Sequence, residues 1–103
     1  MAEEKLIRDL IPDIVGREGR CLVVRVAERD ELPHLLCAKL TEEVHEFLDS
    51  RQVEELADIC EVVFALAHQA GVSAEELERL RAEKAAERGG FTKGIVLILE
   101  ERA

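Results

Sequence analysis

The chain has 103 residues and a net charge of −9, and apolar residues make up 48% of it but aromatic residues only 3%. This length allows one domain with a modest core, so we expect a single domain over residues 1–103. The acidic balance excludes a basic surface for nucleic acid and disfavours an anionic membrane surface, whereas it suits the capture of divalent cations.

The first segment with a recognisable pattern covers residues 3–18, EEKLIRDLIPDIVGRE. It begins as a polar tip and continues as a short amphipathic stretch. Pro12 suits the first turn of a helix, and Asp9 is placed to cap it. We therefore expect a short helix that begins near Ile11.

Two apolar runs predict strands. Residues 21–27, CLVVRVA, contain β-branched residues and are too short for a standard helix. The only comparable run, GIVLILE, covers residues 94–100. We expect these N- and C-terminal segments to form a small two-stranded β element. It could also extend across a dimer, because a lone two-stranded ribbon is marginally stable.

Three longer helices are predicted between these runs, from a composition rich in Glu, Leu, Arg and Ala. The first covers residues 30–49 and the second covers residues 52–70, which Gly71 follows. The third opens at the capping box Ser73-Ala-Glu-Glu76 and runs to about Arg88. The predicted fold is mainly α, an antiparallel helical bundle with the small two-stranded element.

Two acidic pairs lie on either side of a short polar break. Glu43 and Glu46 are three residues apart on the first long helix, and Glu55 and Asp58 are three apart on the second. Residues 49–52 let the two helices fold back, so four carboxylates can converge. Like charges so close need a positive partner, and Mg²⁺ is the simplest one, with Mn²⁺ as an alternative.

The second helix carries the stronger signal, because it is apolar almost all round and is therefore expected to be central and buried. Glu55 and Asp58 share a sector with its apolar residues, which favours a metal or catalytic role. The alternative is a buried salt bridge to Lys39 or Arg88. Glu43 lies only at the edge of its helix's apolar stripe, which also fits an ordinary solvated face.

The third long helix ends with two basic residues on one face. Lys84 and Arg88 are four residues apart and precede a double glycine. They could clamp a phosphate, or they could simply complement the negative end of the helix dipole, and the sequence supports both interpretations equally.

The expected compartment is the cytoplasm. The N-terminus, MAEEKLIRDL, has no apolar signal region, and no apolar run is long enough to span a membrane. The three cysteines are an odd number without a C-x-x-C spacing, which fits a reducing environment.

Four blocks in order resemble the all-α nucleoside triphosphate pyrophosphohydrolase superfamily, in particular its short MazG-like, phosphoribosyl-ATP pyrophosphohydrolase-like branch. The blocks span nearly the whole chain: KLIRD at residues 5–9 followed by Ile11-Pro12, KLTEEVHE at 39–46, EELAD at 54–58 and KAAERGGF at 84–91. A single E-x-x-E is weak evidence, but four ordered blocks are specific. The connection between the acidic pairs is shorter than is usual in the superfamily.

This resemblance implies Mg²⁺ bound by the carboxylates of Glu43, Glu46, Glu55 and Asp58. It also implies hydrolysis between the α- and β-phosphates of a nucleotide, which gives a monophosphate and pyrophosphate, and assembly as a homodimer or higher oligomer.

The mechanism we expect assigns Glu46 or Glu43 as general base. It assigns phosphate binding to a set of basic residues that comprises Lys39, Lys84, Arg88 and Arg8.

Three functions remain open on the sequence. The first is a Mg²⁺-dependent pyrophosphohydrolase that removes unwanted nucleotides. The second is hydrolysis of phosphoribosyl-ATP in histidine biosynthesis. The third is a non-catalytic helical dimerisation module that keeps the acids for structure.

Overall fold

The computed structural model describes residues 4–102, and four helices form the framework of that part of the chain. In chain order they are α1 (Ile11–Arg17), α2 (Leu32–Ser50), α3 (Val53–Gln69) and α4 (Ala74–Arg88). The mainly α prediction is therefore confirmed, with helix ends within about two residues of those expected. Among the four helices, α2 contacts α3 and α3 contacts α4.

The joint between α2 and α3 is only two residues long, and it sets the register of the acidic pairs. Arg51 ends α2 in the left-handed region at φ 59°, and its backbone N–H donates to the Phe47 carbonyl at 2.7 Å. Its side-chain Nε also donates to the Leu48 carbonyl at 3.1 Å. These bonds satisfy carbonyls that would otherwise lack partners at the helix end, and they turn the chain back on itself.

Asp9, which was expected to cap the first helix, does not do so. Leu10 is the N-cap of α1 and Glu31 is the N-cap of α2, and neither makes a side-chain capping hydrogen bond. Both helices instead begin with a proline in the first turn, Pro12 in α1, as the sequence predicts, and Pro33 in α2. Proline suits this position because its missing N–H has no acceptor there and its φ is already helical.

The predicted capping box at the start of α4 is confirmed. The Ser73 hydroxyl oxygen accepts from the Glu76 backbone N–H at 3.1 Å, and the Ser73 hydroxyl donates to the Glu76 carboxylate at the same distance. The chain bends by 106° between α3 and α4. None of the described residues of α4 is buried, so this helix depends more on local interactions than on packing.

The predicted two-stranded β element is wrong. Residues 21–27 and 94–100 both lie in the described part of the chain, and neither they nor any other described residue forms a strand. Residues 21–27 are instead extended coil, and the Arg25 side chain ties them to Glu4 at 2.7 Å and to Glu31 at 2.8 and 2.9 Å. A two-stranded ribbon needs a further strand or a helix face to cover it, and the large apolar side chains of both segments are exposed instead.

The single chain buries very little apolar surface. Val15, Leu36 and Val62 are the buried apolar residues in the described part, so the expected burial of α3 is not found within one chain. The radius of gyration is 18.3 Å, whereas a compact chain of this length has about 13 Å. Large side chains from Ile95 to Leu99 are all mostly exposed, and Phe91 is 98% exposed.

No individual helix in residues 4–102 combines the length and apolar character needed to cross a bilayer, although α3 and α4 taken together, bent at their break, meet those criteria.

Candidate metal centre

The antiparallel pairing of α2 and α3 brings acids from both helices together. One group joins Glu43 of α2 to Glu55 and Asp58 of α3, with one carboxylate oxygen from each within 4.8 Å of the others. A second group on α2 joins Glu43 to Glu42 and Glu46 within the same limit. Glu43 belongs to both groups and is therefore the centre of the cluster.

Glu43 is also the most buried charged residue in the described part of the chain. It is 6% exposed, and its Oε2 has no hydrogen-bond partner. Its Oε1 lies 3.2 Å from the Lys39 Nζ. Burial raises the pKa of the Glu43 carboxyl, Lys39 opposes that rise, and the neighbouring Glu46 carboxyl adds to it. A buried carboxylate oxygen without a partner is costly, which makes this atom a strong candidate for a cation ligand.

Lys39 supplies positive charge from within α2. Its Nζ contacts Glu43 and, at 3.3 Å, Glu42, which lie one helical turn further along. Partial burial opposes the charged form of Lys39, but the hydrogen bonds and charges of these two glutamates outweigh it and raise the lysine pKa. Lys39 is therefore a fixed counter-charge at the cluster.

Two further cations reach the acids from the N-terminal segment. Arg8 Nη2 donates to Asp58 Oδ1 at 2.7 Å, and Lys5 Nζ donates to Glu42 Oε1 at 3.1 Å. Partial burial acts to raise the pKa of Glu42, but its contacts with Lys5 and Lys39 lower it overall. The alternative of a salt bridge from Asp58 to Lys39 or Arg88 is not found, since Arg8 takes that place.

A cavity of about 200 Å³ lies beside the cluster. Its polar edge includes Lys39, Glu43 and Asp58, and its apolar wall is made by aliphatic side chains from three parts of the chain. The apolar lining residues are Leu6, Ile7, Leu32, Leu36 and Val62, and Arg8, Asp9 and Glu61 complete the lining. The arrangement combines a charged rim with an aliphatic wall, as small-molecule sites often do.

The residues predicted to form the site are only partly brought together. Glu43, Glu55 and Asp58 converge, with Lys39 and Arg8 beside them, and Glu46 lies at the exposed edge. Lys84 and Arg88 lie near the C-terminal end of α4, which does not contact α2, and they do not line the cavity. Within one chain these two basic residues are therefore separate from the acids.

Two residues of the site were missed by the sequence reasoning. Glu42 lies on the side of α2 away from the apolar stripe, and Lys5 looks like one more surface charge. Residues 5–9 carry basic side chains and residues 39–46 carry acidic ones, and this difference in charge could have pointed to Lys5 and Glu42. The two blocks lie far apart in sequence, however, so contact between them cannot be derived from either block alone.

The donors at this site fit a hard divalent cation. They are all carboxylate oxygens, which Mg²⁺ and Mn²⁺ prefer, and Glu43, which belongs to both groups, also has a buried oxygen without a hydrogen-bond partner. Asp58 keeps a second oxygen besides the one that Arg8 holds. The acids could therefore bind a cation through Glu43, Glu55 and Asp58, with Glu46 at the solvent side.

Searches among protein families, curated proteins and solved structures found nothing that matches this chain.

Proposed function

We propose that the protein is a Mg²⁺-dependent nucleoside triphosphate pyrophosphohydrolase, which converts a nucleoside triphosphate and water to the monophosphate and pyrophosphate. The observation that carries this proposal is the unpartnered, buried Oε2 of Glu43 in a cluster with Glu55 and Asp58. Five acids in the two groups meet only three cationic side chains, Lys5, Arg8 and Lys39, so negative charge stays in excess and favours a bound divalent ion. Mn²⁺ satisfies the same ligands.

The bound cation would supply charge neutralisation at the phosphates and a more acidic water. The residues of the chain perform the remaining tasks. Glu43, Glu55 and Asp58 hold the ion, while Lys39 and Arg8 provide donors for phosphate oxygens at the same rim. The cavity beside them accepts part of the substrate that is not phosphate.

Glu46 is the better candidate for the general base. It is exposed, and it adjoins Glu43 in the second acidic group, whereas Glu43 is already bonded to Lys39. A base must exchange protons with solvent and reach the attacking water, and Glu46 has the access for both. The water oxygen attacks the α-phosphorus, its proton passes to the carboxylate, and the bond to the β-phosphate oxygen breaks to release pyrophosphate.

The four sequence blocks similar to MazG-like enzymes support this choice among possible phosphate substrates. The first and second blocks supply the contacts of Arg8 and Lys39, and the third supplies Glu55 and Asp58. We assign the biological role as removal of unwanted nucleotides in the cytoplasm. Hydrolysis of phosphoribosyl-ATP uses the same bond cleavage and is an outcome of the test below.

We also propose that the working form is a homodimer or a higher homo-oligomer. Three buried apolar residues in the described chain cannot offset the conformational entropy lost on folding. The exposed apolar run at residues 95–99 therefore needs a partner, and a second copy is the partner always present at equal concentration. A second copy could also bring Lys84 and Arg88 to the acids.

The test is a pyrophosphate-release assay with and without Mg²⁺ over canonical, deoxy and damaged nucleoside triphosphates and phosphoribosyl-ATP. Asp58→Asn removes one proposed ligand with little change in shape. Glu54→Gln is the matched control, because Glu54 lies on the same helix but is exposed and outside both acidic groups.

We expect Mg²⁺-dependent release that Asp58→Asn abolishes and Glu54→Gln preserves. Release from phosphoribosyl-ATP alone would assign the biosynthetic reaction instead. If no substrate releases pyrophosphate and calorimetry detects no Mg²⁺ binding to the folded protein, the enzyme proposal is wrong and a dimerisation module remains.

A further inference from the structure

The segment of residues 5–9, here called the N-terminal strap, carries one cation to each acidic group. Lys5 pairs with Glu42 at 3.1 Å, and Arg8, three residues later, pairs with Asp58 at 2.7 Å. Glu42 belongs to the group confined to α2, and Asp58 belongs to the group that bridges α2 and α3. The strap thus places two positive side chains on acids that a metal ion would also use.

The strap has no helix of its own and is held mainly by side chains. The N–H groups of residues 5–9 donate no backbone hydrogen bond to any other described residue, and the Arg8 carbonyl accepts one, from the Ile11 N–H at 3.1 Å. Leu6 and Ile7 are half-buried and form part of the cavity wall. Movement of the strap therefore breaks two ion pairs and opens one wall of the cavity, without unfolding any helix.

Of the two positive groups that pair with Glu43 or Asp58, Arg8 is the one that can leave. The Lys39 side chain is 17% exposed and pairs with acids on its own helix, whereas the Arg8 side chain is 53% exposed and comes from the strap. Its guanidinium lies at hydrogen-bond distance from Asp58 Oδ1. A divalent ion bound at about 2.1 Å from a carboxylate oxygen would repel a guanidinium held so near.

We propose that the N-terminal strap is a built-in competitor of the metal ion. Without the ion, Arg8 neutralises Asp58 and the strap closes the cavity. When a divalent cation binds to Glu43, Glu55 and Asp58, Arg8 is released from Asp58, the strap wall loosens, and the guanidinium becomes free to bind a substrate phosphate. This inference rests on the cation site of the proposed function.

Binding and release are reciprocal, because both involve the same carboxylates. Exposed ion pairs of this kind contribute little, so removal of the Arg8 charge should tighten cation binding by only about two- to fivefold. The same substitution should weaken binding of a triphosphate to the cation-loaded protein, because the freed guanidinium is then missing.

The experiment combines calorimetry with NMR on the full chain. Mg²⁺ affinity is measured for the wild type, for Arg8→Gln and for the control Arg81→Gln, which removes an equal charge at an ion pair with Glu78 on α4. The Nε–Hε signal of Arg8, assigned by its loss in Arg8→Gln, is then followed as Mg²⁺ is added. Asp58→Asn provides the reference position of the signal when Arg8 has no ion pair with residue 58.

The proposal expects tighter Mg²⁺ binding in Arg8→Gln alone, and an Arg8 signal that moves to its Asp58→Asn position as the site fills. An Arg8 signal that stays in place while calorimetry shows Mg²⁺ binding would overturn the competition and leave the proposed function intact. Mg²⁺ binding in Arg8→Gln that is equal to or weaker than in the wild type would also overturn the competition and leave the proposed function intact. Absence of Mg²⁺ binding in the wild type would overturn both.

Discussion

At the scale of single residues, Arg25 connects parts of the chain that no helix connects. Its guanidinium lies between the carboxylates of Glu4 and Glu31, with contacts of 2.7 to 2.9 Å. The hydrogen bond from Arg25, helped by the Glu28 backbone N–H, lowers the pKa of Glu31 to about 2. This bond replaces the β pairing that was expected to order residues 21–27.

The lowered pKa of Glu31 makes the stability of the protein depend on pH in a defined direction. A carboxyl with a depressed folded pKa stabilises the protein above its unfolded pKa, near 4.5, and loses that contribution as the pH falls towards 2. We expect carboxyl NMR titration to place the Glu31 midpoint near 2 in the wild type and clearly higher in Arg25→Gln, where only the Glu28 N–H bond still lowers the pKa. An equally low midpoint in that variant would contradict the assignment.

Glu43 should make cation binding depend on pH above the ordinary carboxyl pKa, whereas the Glu31 effect lies below it. Burial and the neighbouring Glu46 raise its pKa, so protons compete with the cation at pH values above the ordinary carboxyl range. We expect the Mg²⁺ affinity to rise as the pH increases through the raised Glu43 pKa. Glu43→Gln should weaken binding at least about tenfold and remove that part of the pH dependence.

The matched comparison for Glu43 is Glu54→Gln, which removes an exposed acid outside the cluster. The Mg²⁺ affinity of each variant is measured by calorimetric titration at several pH values, and folding is checked by circular dichroism. A pH dependence that persists unchanged in Glu43→Gln would assign the titrating group elsewhere.

At the scale of helices, α4 is the element whose stability is most local. It buries no described residue, and it relies on the Ser73–Glu76 capping box and on the Glu78–Arg81 pair at 2.6 Å. Ser73→Ala should destabilise this helix by about 1 kcal/mol. We expect hydrogen exchange to speed up in α4 while α2 and α3 keep their protection.

Glu83→Ala is the control for the cap, because Glu83 is exposed within α4 and takes no part in its N-terminal cap. If hydrogen exchange speeds up across all helices in Ser73→Ala, with an equal loss of protection in the control variant, α4 folds as one unit with the α2–α3 hairpin.

The helices were largely predictable from the sequence, and the reasons are local. Prolines in the first turns, glycines after the last ones and the Ser73 capping box act within a few residues, so helix positions follow from spacing alone. The acidic pairs were found for the same reason. The contact of Asp58 with Arg8 spans 50 residues and depends on how the N-terminal strap lies, which no local pattern determines.

The prediction of two strands was wrong because it, too, relied only on the local sequence. Residues 21–27 and 94–100 have the β-branched, apolar character of strands, but a strand exists only where a partner backbone accepts its hydrogen bonds. One α2 site residue was weighted too low for a related reason. Glu43 looks like a surface acid on its own helix, but in the folded chain it is 6% exposed.

At the scale of the whole molecule, the exposed apolar run at residues 95–99 is the surface through which we propose that the chain self-associates. Leu97 is 80% exposed at the middle of the run at residues 95–99. Leu97→Gln removes apolar surface without a change in charge, so we expect it to weaken self-association by about tenfold or more. Sedimentation and light scattering over a concentration series would measure the effect.

Glu101→Gln is the control for this position, since it alters a nearby exposed polar residue. The wild type should also show a melting temperature that rises with protein concentration, as an assembling protein does. A wild-type chain that is monomeric and unfolds cooperatively at every concentration would contradict the assembly proposal.

The two-residue joint at Arg51 and Gln52 has a consequence for how this chain can change its length. One residue inserted into α2 after Glu46 would rotate the earlier acids by about 100° relative to α3 and take Glu43 away from Asp58. The coil before Arg25 has no such register to keep. Insertions and deletions should therefore be tolerated over residues 18–24 and eliminate cation binding over residues 43–58, even where every carboxylate is retained.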